Sequence, residues 1–226
     1  MLQASVVRES RGKLMKNGTE AELGVLRRDI RGFRLFAGLI GAEAQETMVA
    51  ALRRVVAEAP LYTPTTPGGR QMSVRMTAAG RLGWITDRRG YRYEPLHPGG
   101  QPWPAIPEEV MAVWRVVSGT GRAPDCCLIN FYGEGARMGL HQDRDEGDFS
   151  FPVVSISLGD EALFRMGGVD RAEGTESVWL HSGDVVVMGG AARLAWHGVD
   201  RVRHGSSTLL PLAGRINLTL RVVEGR

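Results

Sequence analysis

The sequence predicts a mainly β protein with flanking helices (α+β), its strands forming a sandwich or barrel for which a jelly roll is one solution. Three observations lead there. After Cys126 the chain becomes a series of short apolar runs broken by turn residues such as Ser182-Gly-Asp184, and short strands at such spacing indicate a layered or closed β structure. The run Arg215-Ile-Asn-Leu-Thr-Leu-Arg221 alternates polar and apolar residues without a break, the period of a strand. Two stretches with helical signals both precede Cys126.

Val25-Leu26 and Phe33-Arg-Leu-Phe36 suggest edge strands. From Ala42 to Ala59 the apolar positions Met48, Val49, Leu52, Val55 and Val56 recur on one helical face, and Pro60 ends the helix. Residues 60–107 are rich in proline and glycine pairs, with Trp84, Tyr91, Tyr93 and Trp103 set among arginines; this composition fits hairpins and loops. Pro107-Glu108-Glu109 opens a second helix over about 107–118, since proline and acidic residues suit a helix start. Strands are expected at 127–132, 151–158, 178–180, 185–188 and 216–222. Residues 1–24 show no periodicity and are expected to form a flexible tail.

The chain has 226 residues, 43% hydrophobic and 23% charged, enough for one domain with its own core. No apolar run reaches the length of a membrane span, and the first residues lack the apolar core of a secretory signal. Cys126 and Cys127 are adjacent, which excludes a disulfide framework and fits a reducing cytoplasm. The net charge of +3 permits a polyanionic partner without requiring one.

The chemistry centres on His141-Gln-Asp143 and His197. Two imidazoles and one carboxylate are the ligand set of a non-haem Fe(II) site with open positions for a co-substrate and oxygen. Residues two apart on an extended strand point the same way, so His141 and Asp143 can share an ion, and a β fold that doubles back can bring His197 to them. His97, His181 and His204 sit in turn-like contexts and are expected to be solvated. On the last strand Arg215, Asn217, Thr219 and Arg221 share a face. Either this is a half-exposed edge strand or it is a polar lining inside a barrel. In the second case the two guanidinium groups need acid partners, because an unpaired buried charge is costly, and a dicarboxylate would supply them. Asn130 and Tyr132 share a face of an earlier strand and can donate hydrogen bonds to the same ligand.

Asn130-x-Tyr132, His141-Gln-Asp143-x-Asp145-Glu146, Val154-Ser-Ile-Ser-Leu-Gly159, Ser182-Gly-Asp-Val-Val-Val187, His197-Gly198 and Arg215-x-Asn-x-Thr-x-Arg221, in this order, resemble the AlkB family of Fe(II)/2-oxoglutarate dioxygenases. The resemblance spans about residues 25–223. It implies a double-stranded β-helix (jelly roll) core over 107–226, and an N-terminal extension with a nucleotide-recognition lid over 25–106. It implies Fe(2+) held by His141, Asp143 and His197. It also implies 2-oxoglutarate held by Asn130, Tyr132, Arg215, Asn217 and Arg221, with O2 as the other co-substrate. On the substrate side it implies Trp84 stacking on the damaged base, Tyr91 at a phosphate, Asp145 at the exocyclic amino group and Arg171 as a further contact. Met188 departs from the pattern, standing where an aromatic is expected.

The implied activity is oxidative demethylation of bases such as 1-methyladenine and 3-methylcytosine in alkylated DNA. Single strands are preferred and RNA is an alternative target. The implied enzyme is monomeric, cytoplasmic and independent of membranes. A dioxygenase of the same chemistry acting on a small molecule or a protein side chain, and a jelly-roll binding module without redox activity, are the other classes compatible with the triad. The aromatic and basic 60–107 segment argues against the former, and the Arg215-to-Arg221 face against the latter.

Overall fold

A computed structural model describes residues 27–224; the expected tail at 1–24 and the Val25-Leu26 piece lie outside them. The strands are β1 (Arg27–Ile30), β2 (Phe33–Phe36), β3 (Arg75–Gly80), β4 (Gly83–Asp87), β5 (Gly90–Glu94), β6 (Cys126–Tyr132), β7 (Met138–His141), β8 (Val153–Gly159), β9 (Glu161–Met166), β10 (Glu176–Leu180), β11 (Val185–Met188), β12 (His197–Arg203) and β13 (Arg215–Arg221). The helices are α1 (Ala42–Glu58) and α2 (Glu108–Val117). α1 falls where its apolar spacing puts it, and α2 begins directly after Pro107, where the proline and acidic residues put its start.

The strands form a seven-stranded sheet of order β1-β2-β11-β8-β13-β6-β3, a four-stranded sheet of order β10-β9-β12-β7, and the separate hairpin β4-β5. All pairings are antiparallel. The larger sheet is covered on both faces, giving the jelly-roll core its two apolar layers. On one face α1 and α2 bury Met48, Leu52, Val55, Val110 and Trp114 against Val154, Ile156, Leu158, Leu218 and Leu220. Each such side chain contributes roughly 1.5–3 kcal/mol when fully buried. On the other face Phe33, Leu35 and Val186 meet Phe164, Met166 and Val199 of the smaller sheet.

This arrangement decides between the two readings of the last strand. β13 is central, hydrogen-bonded to β6 on one side and β8 on the other. Its polar side chains cannot reach solvent at an edge, and Arg215, Asn217, Thr219 and Arg221 are all buried. The odd and even residues of β13 thus serve two different interiors. Leu218 and Leu220 join the helix-side core, and the polar row faces the space between the sheets.

β9 and most of β12 were not expected from the sequence. β9 is Glu-Ala-Leu-Phe-Arg-Met, with alternate residues buried, and Gly159 at φ 86° makes the tight turn that separates it from β8. The charged half of β12, Asp200 to Arg203, reads as loop because it covers the outside of the smaller sheet. Arg203 pairs there with Glu161, and its guanidinium lies 4.2 Å from the centroid of the Trp179 ring.

Candidate functional site

The cross-strand pair His141–His197 forms the base of the site. These residues stand opposite each other where β7 meets β12, with ring centroids 4.5 Å apart. The residue after His197 makes this approach possible. A Cβ on Gly198 would lie 2.7 Å from the Met138 carbonyl oxygen and 2.8 Å from that of Gly139, so only glycine lets the two strands close to this distance.

Each imidazole has its orientation set by a carbonyl. Nδ1 of His141 is 2.9 Å from the Gly139 oxygen, and Nδ1 of His197 is 3.0 Å from the Ala195 oxygen. A carbonyl only accepts, so Nδ1 carries the proton in both rings and Nε2 presents its lone pair. Both Nε2 atoms lie 3.8 Å from the Asp143 carboxylate. One ligand atom from each residue falls within 4.8 Å of the others, a fit for a single ion with open positions.

Asp143 itself is beyond the end of β7, in a segment without regular structure. The expectation that His141 and Asp143 share a strand is corrected here: β7 ends at His141, and Asp143 reaches the site from the segment that follows. Burial would raise the Asp143 carboxyl, but Arg221, His197 and His141 hold it well below the usual carboxylate range. Burial and the neighbouring His141 push the His197 imidazole down to about 4. Asp143 is therefore anionic and His197 neutral at neutral pH, the protonation states that bind metal.

The two arginines of β13 have different environments. Arg221 donates from Nη2 to Asp143 Oδ2 at 2.8 Å, and its Nε lies 3.3 Å from Glu146. Arg215 has no carboxylate partner among the described residues. Its Nη2 donates to the Ser157 hydroxyl at 3.0 Å, its guanidinium carbon sits 5.2 Å from the Tyr132 ring centroid, and its Nε and Nη1 have no hydrogen-bond partner. Burial pulls both groups down; for Arg221 the surrounding Asp143, Tyr93 and Glu146 more than reverse this, whereas Arg215 stays lowered. Arg221 also keeps two donors, Nε and Nη1, without a hydrogen-bond partner, and it lines the cavity of the triad where Arg215 does not, so both arginines retain donors for a dicarboxylate. Asn130, Asn217 and Tyr132 line the same cavity as the triad, and Asn217 is fixed by the Ser155 hydroxyl at 2.8 Å.

That cavity has a volume of about 390 Å³. Its rim includes Trp84, Tyr91 and Asp145. Trp84 and Tyr91 stack with centroids 5.5 Å apart at 15°, and Trp84 Nε1 donates to Asp145 Oδ2 at 2.8 Å. Arg171 is not among the lining residues; it lies 4.9 Å from the centroid of Trp196, which does line the cavity. His181 and His204 are exposed or partly so, as expected. His97 is not: it is buried, with Nδ1 accepting from the Gly99 N–H and Nε2 at 2.9 Å from the Pro60 oxygen, and it packs edge-on against Tyr62 and Trp103. Its role is to hold the loop after β5.

Sequence reasoning missed the roles of two participants, Glu146 and Arg193. Glu146 is buried and accepts from the Tyr93 hydroxyl at 2.5 Å and from Arg193 Nη2 at 2.9 Å. Arg193 also donates to the main-chain oxygens of Asp143 at 2.6 Å and Phe151 at 2.8 Å. The available signal was one arginine within the apolar stretch Ala191-Ala-Arg-Leu-Ala195. An isolated cation in such a stretch implies a buried anion nearby.

The family profile described as the 2OG-Fe(II) oxygenase superfamily matches residues 32–221. The chain is 53% identical over 193 residues to the alpha-ketoglutarate-dependent dioxygenase AlkB homolog of Caulobacter vibrioides (strain NA1000 / CB15N), covering 85% of this chain and 88% of that protein. It is 42% identical over 183 residues to alpha-ketoglutarate-dependent dioxygenase AlkB of Escherichia coli (strain K12), covering 79% and 84% respectively. The solved structure of OsALKBH1 superposes with a TM-score of 0.71 at 30% identity, covering 87% of this chain and 99% of that one.

Proposed function

The chain belongs to the AlkB family of the 2OG-Fe(II) oxygenase superfamily, and from that premise we propose that it removes alkyl groups oxidatively from bases such as 1-methyladenine and 3-methylcytosine in DNA. The enzyme class is that of an Fe(II)/2-oxoglutarate-dependent dioxygenase. The observation that carries the substrate reading is that His141, Asp143 and His197 share one cavity with Trp84, Tyr91 and Asp145. A metal centre lies under an aromatic plate and a carboxylate, which is a receptacle for an extruded base.

Within this reading His141, Asp143 and His197 hold Fe(II). Arg215 binds the far carboxylate of 2-oxoglutarate, with Tyr132, Asn130 and Asn217 around it. Arg221 offers its unpartnered Nε and Nη1 to the same co-substrate and keeps the Asp143 ligand ionised. When bound, the iron, 2-oxoglutarate and O2 supply the oxidation that hydroxylates an N-alkyl carbon, with succinate and CO2 as co-products and formaldehyde leaving as the repaired base is released. Trp84 stacks on the base, backed by Tyr91. Asp145 keeps one oxygen on the Trp84 indole and offers the other to an exocyclic amino group. Arg171, over Trp196, reaches substrate outside the cavity wall.

A base must leave its stack to reach this depth, and methylation of its pairing edge lowers that cost. The relatives named for action on nucleic acids include the nucleic acid dioxygenase of Mus musculus and DNA N(6)-methyladenine demethylases of Arabidopsis thaliana, which supports a nucleic-acid target. The reading includes a preference for single strands, a monomer and a cytoplasmic site of action. Among the described residues no helix is long and apolar enough to cross a membrane. Of the N-terminal extension, the hairpin β4-β5 supplies the lid, whereas β1, β2 and β3 join the larger sheet together with the strands after residue 107.

The test is anaerobic reconstitution with Fe(II), followed by formaldehyde release from methylated single-stranded DNA, double-stranded DNA and RNA in parallel. Release from DNA, abolished by Asp143→Ala, is the expected result. Release from RNA alone replaces DNA with RNA as target, and succinate formation without formaldehyde from any of the three overturns the substrate reading.

A further inference from the structure

The hairpin β4-β5 is fastened to the segment that carries Asp143 at two adjacent points. Trp84 and Tyr93 are directly opposite each other in the hairpin register, so their side chains project from the same face. Trp84 grips Asp145 at 2.8 Å and Tyr93 grips Glu146 at 2.5 Å. Asp145 and Glu146 follow the ligand Asp143 by two and three residues. That segment has no helix or strand to fix it; it is fixed by side chains.

Glu146 is where these fastenings meet the metal site. One of its oxygens accepts from Tyr93 and lies 3.3 Å from Arg221 Nε; the other accepts from Arg193. Arg221 in turn donates to the Asp143 carboxylate, and Arg193 donates to the Asp143 main chain. Two buried anions and two buried cations thus form a closed group of zero net charge. A shift of Glu146 stretches a contact to a guanidinium that also holds Asp143. The Tyr93 hydroxyl is the one member of the group supplied by the hairpin.

We propose that the Tyr93–Glu146 contact is a joint through which nucleic acid held under β4-β5 tightens the Asp143 ligand, so that alkylated nucleic acid and metal bind cooperatively. The proposal rests on the reading that the hairpin covers the substrate. Tyr93 and Glu146 are positioning residues in it: neither is required to touch the metal. Coupling of this kind is reciprocal, so metal tightens nucleic-acid binding by the same factor.

The experiment measures the Kd of Mn(II), a redox-silent probe, for the full chain with and without a saturating single-stranded oligonucleotide containing 1-methyladenine. The same measurement is made on Tyr93→Phe and Glu146→Gln. The readout is the ratio of the two Kd values, which is independent of how either ligand binds alone. In the unaltered protein the ratio is expected to be about fivefold or more, within the range usual for coupled sites. In Tyr93→Phe, which keeps the ring and loses only the hydroxyl, it is expected to fall towards one. Glu146→Gln should behave the same way, and if that variant does not fold, Tyr93→Phe alone decides. A ratio in Tyr93→Phe equal to that of the unaltered protein overturns the joint, and so does a ratio of one in the unaltered protein with the oligonucleotide bound. Direct titration of the oligonucleotide separates the two readings: absence of binding removes the substrate assignment, and the joint with it.

Discussion

Arg221 places Nη2 2.8 Å from Oδ2 of Asp143, so the cation at the end of the last strand neutralises a metal ligand. Removing it by Arg221→Met leaves the buried Asp143 carboxylate without its side-chain cation. Breaking one side of a buried pair costs about 3–5 kcal/mol, and the apoprotein should lose that much stability in urea. A divalent ion replaces the missing positive charge. Mn(II) should therefore raise the melting temperature of the variant by more than it raises that of the unaltered protein. An equal increase in both would show that Arg221 does not balance Asp143.

Arg215 has the opposite situation, with buried donors and no carboxylate. Arg215→Lys retains the charge but loses the planar pair of N–H groups that meets a carboxylate in two places. Charge-assisted hydrogen bonds contribute roughly 1.5–3 kcal/mol, so 2-oxoglutarate should bind about 10–100-fold more weakly. Titration of 2-oxoglutarate against the Mn(II)-loaded protein measures this. A weakened metal site with unchanged 2-oxoglutarate affinity would remove Arg215 from the co-substrate site.

Trp84 carries two separable functions, the ring face and the indole N–H. Base stacking contributes about 1–3 kcal/mol, so Trp84→Ala should weaken binding of a methylated oligonucleotide by roughly 5–100-fold. Trp84→Phe retains a ring and releases Asp145. It should bind 3-methylthymine, which has no exocyclic amino group, nearly as before, and lose affinity for 3-methylcytosine. Equal losses for the two lesions would mean that the Trp84–Asp145 contact does not contribute to base discrimination.

How much of this was legible in the sequence depends on whether a residue's partner is near in sequence or far. The helix at 42–58 follows from its own periodicity, and that at 108–117 from its proline and acidic start. The polar row of β13 was visible as alternation, but whether it faced solvent or the interior depended on β6 and β8 lying on either side of it, and alternation carries no information about neighbours. The triad was found from ligand chemistry and family resemblance. Its supporting charges, Arg193 and Glu146, were not, because they are distant in sequence and each reads as an ordinary surface residue until the fold buries both. His97 was misjudged for the same reason: its turn-like context is real, but Tyr62 and Trp103 close over it.

The His197 imidazole, lowered from 6.5 to about 4 by burial and by His141, links stability to pH. Between those values the unfolded chain takes up a proton that the folded chain refuses. The apoprotein should therefore be most stable above pH 6.5 and lose stability as the pH falls towards 4, by on the order of 3 kcal/mol from this group. Asp143, also lowered, adds a further loss at more acidic pH. Urea midpoints at pH 7 and pH 4.5 measure the effect, and His197→Gln should reduce the difference between them. An unchanged difference in that variant would assign the loss to other groups.

β13 follows β6 and β8 in the chain yet lies between them in the sheet. During synthesis the ribosome therefore releases both neighbours before the strand that separates them. All three candidate ligands, His141, Asp143 and His197, also emerge before Arg215. The strand that carries Arg215 and Arg221 is thus the last part of the pocket to be made. Arrival of the seven residues of β13 joins the two halves of the sheet and completes the co-substrate pocket in one event. Biogenesis of the fold and licensing of its oxidative chemistry are the same step, and a chain truncated before residue 215 would have neither.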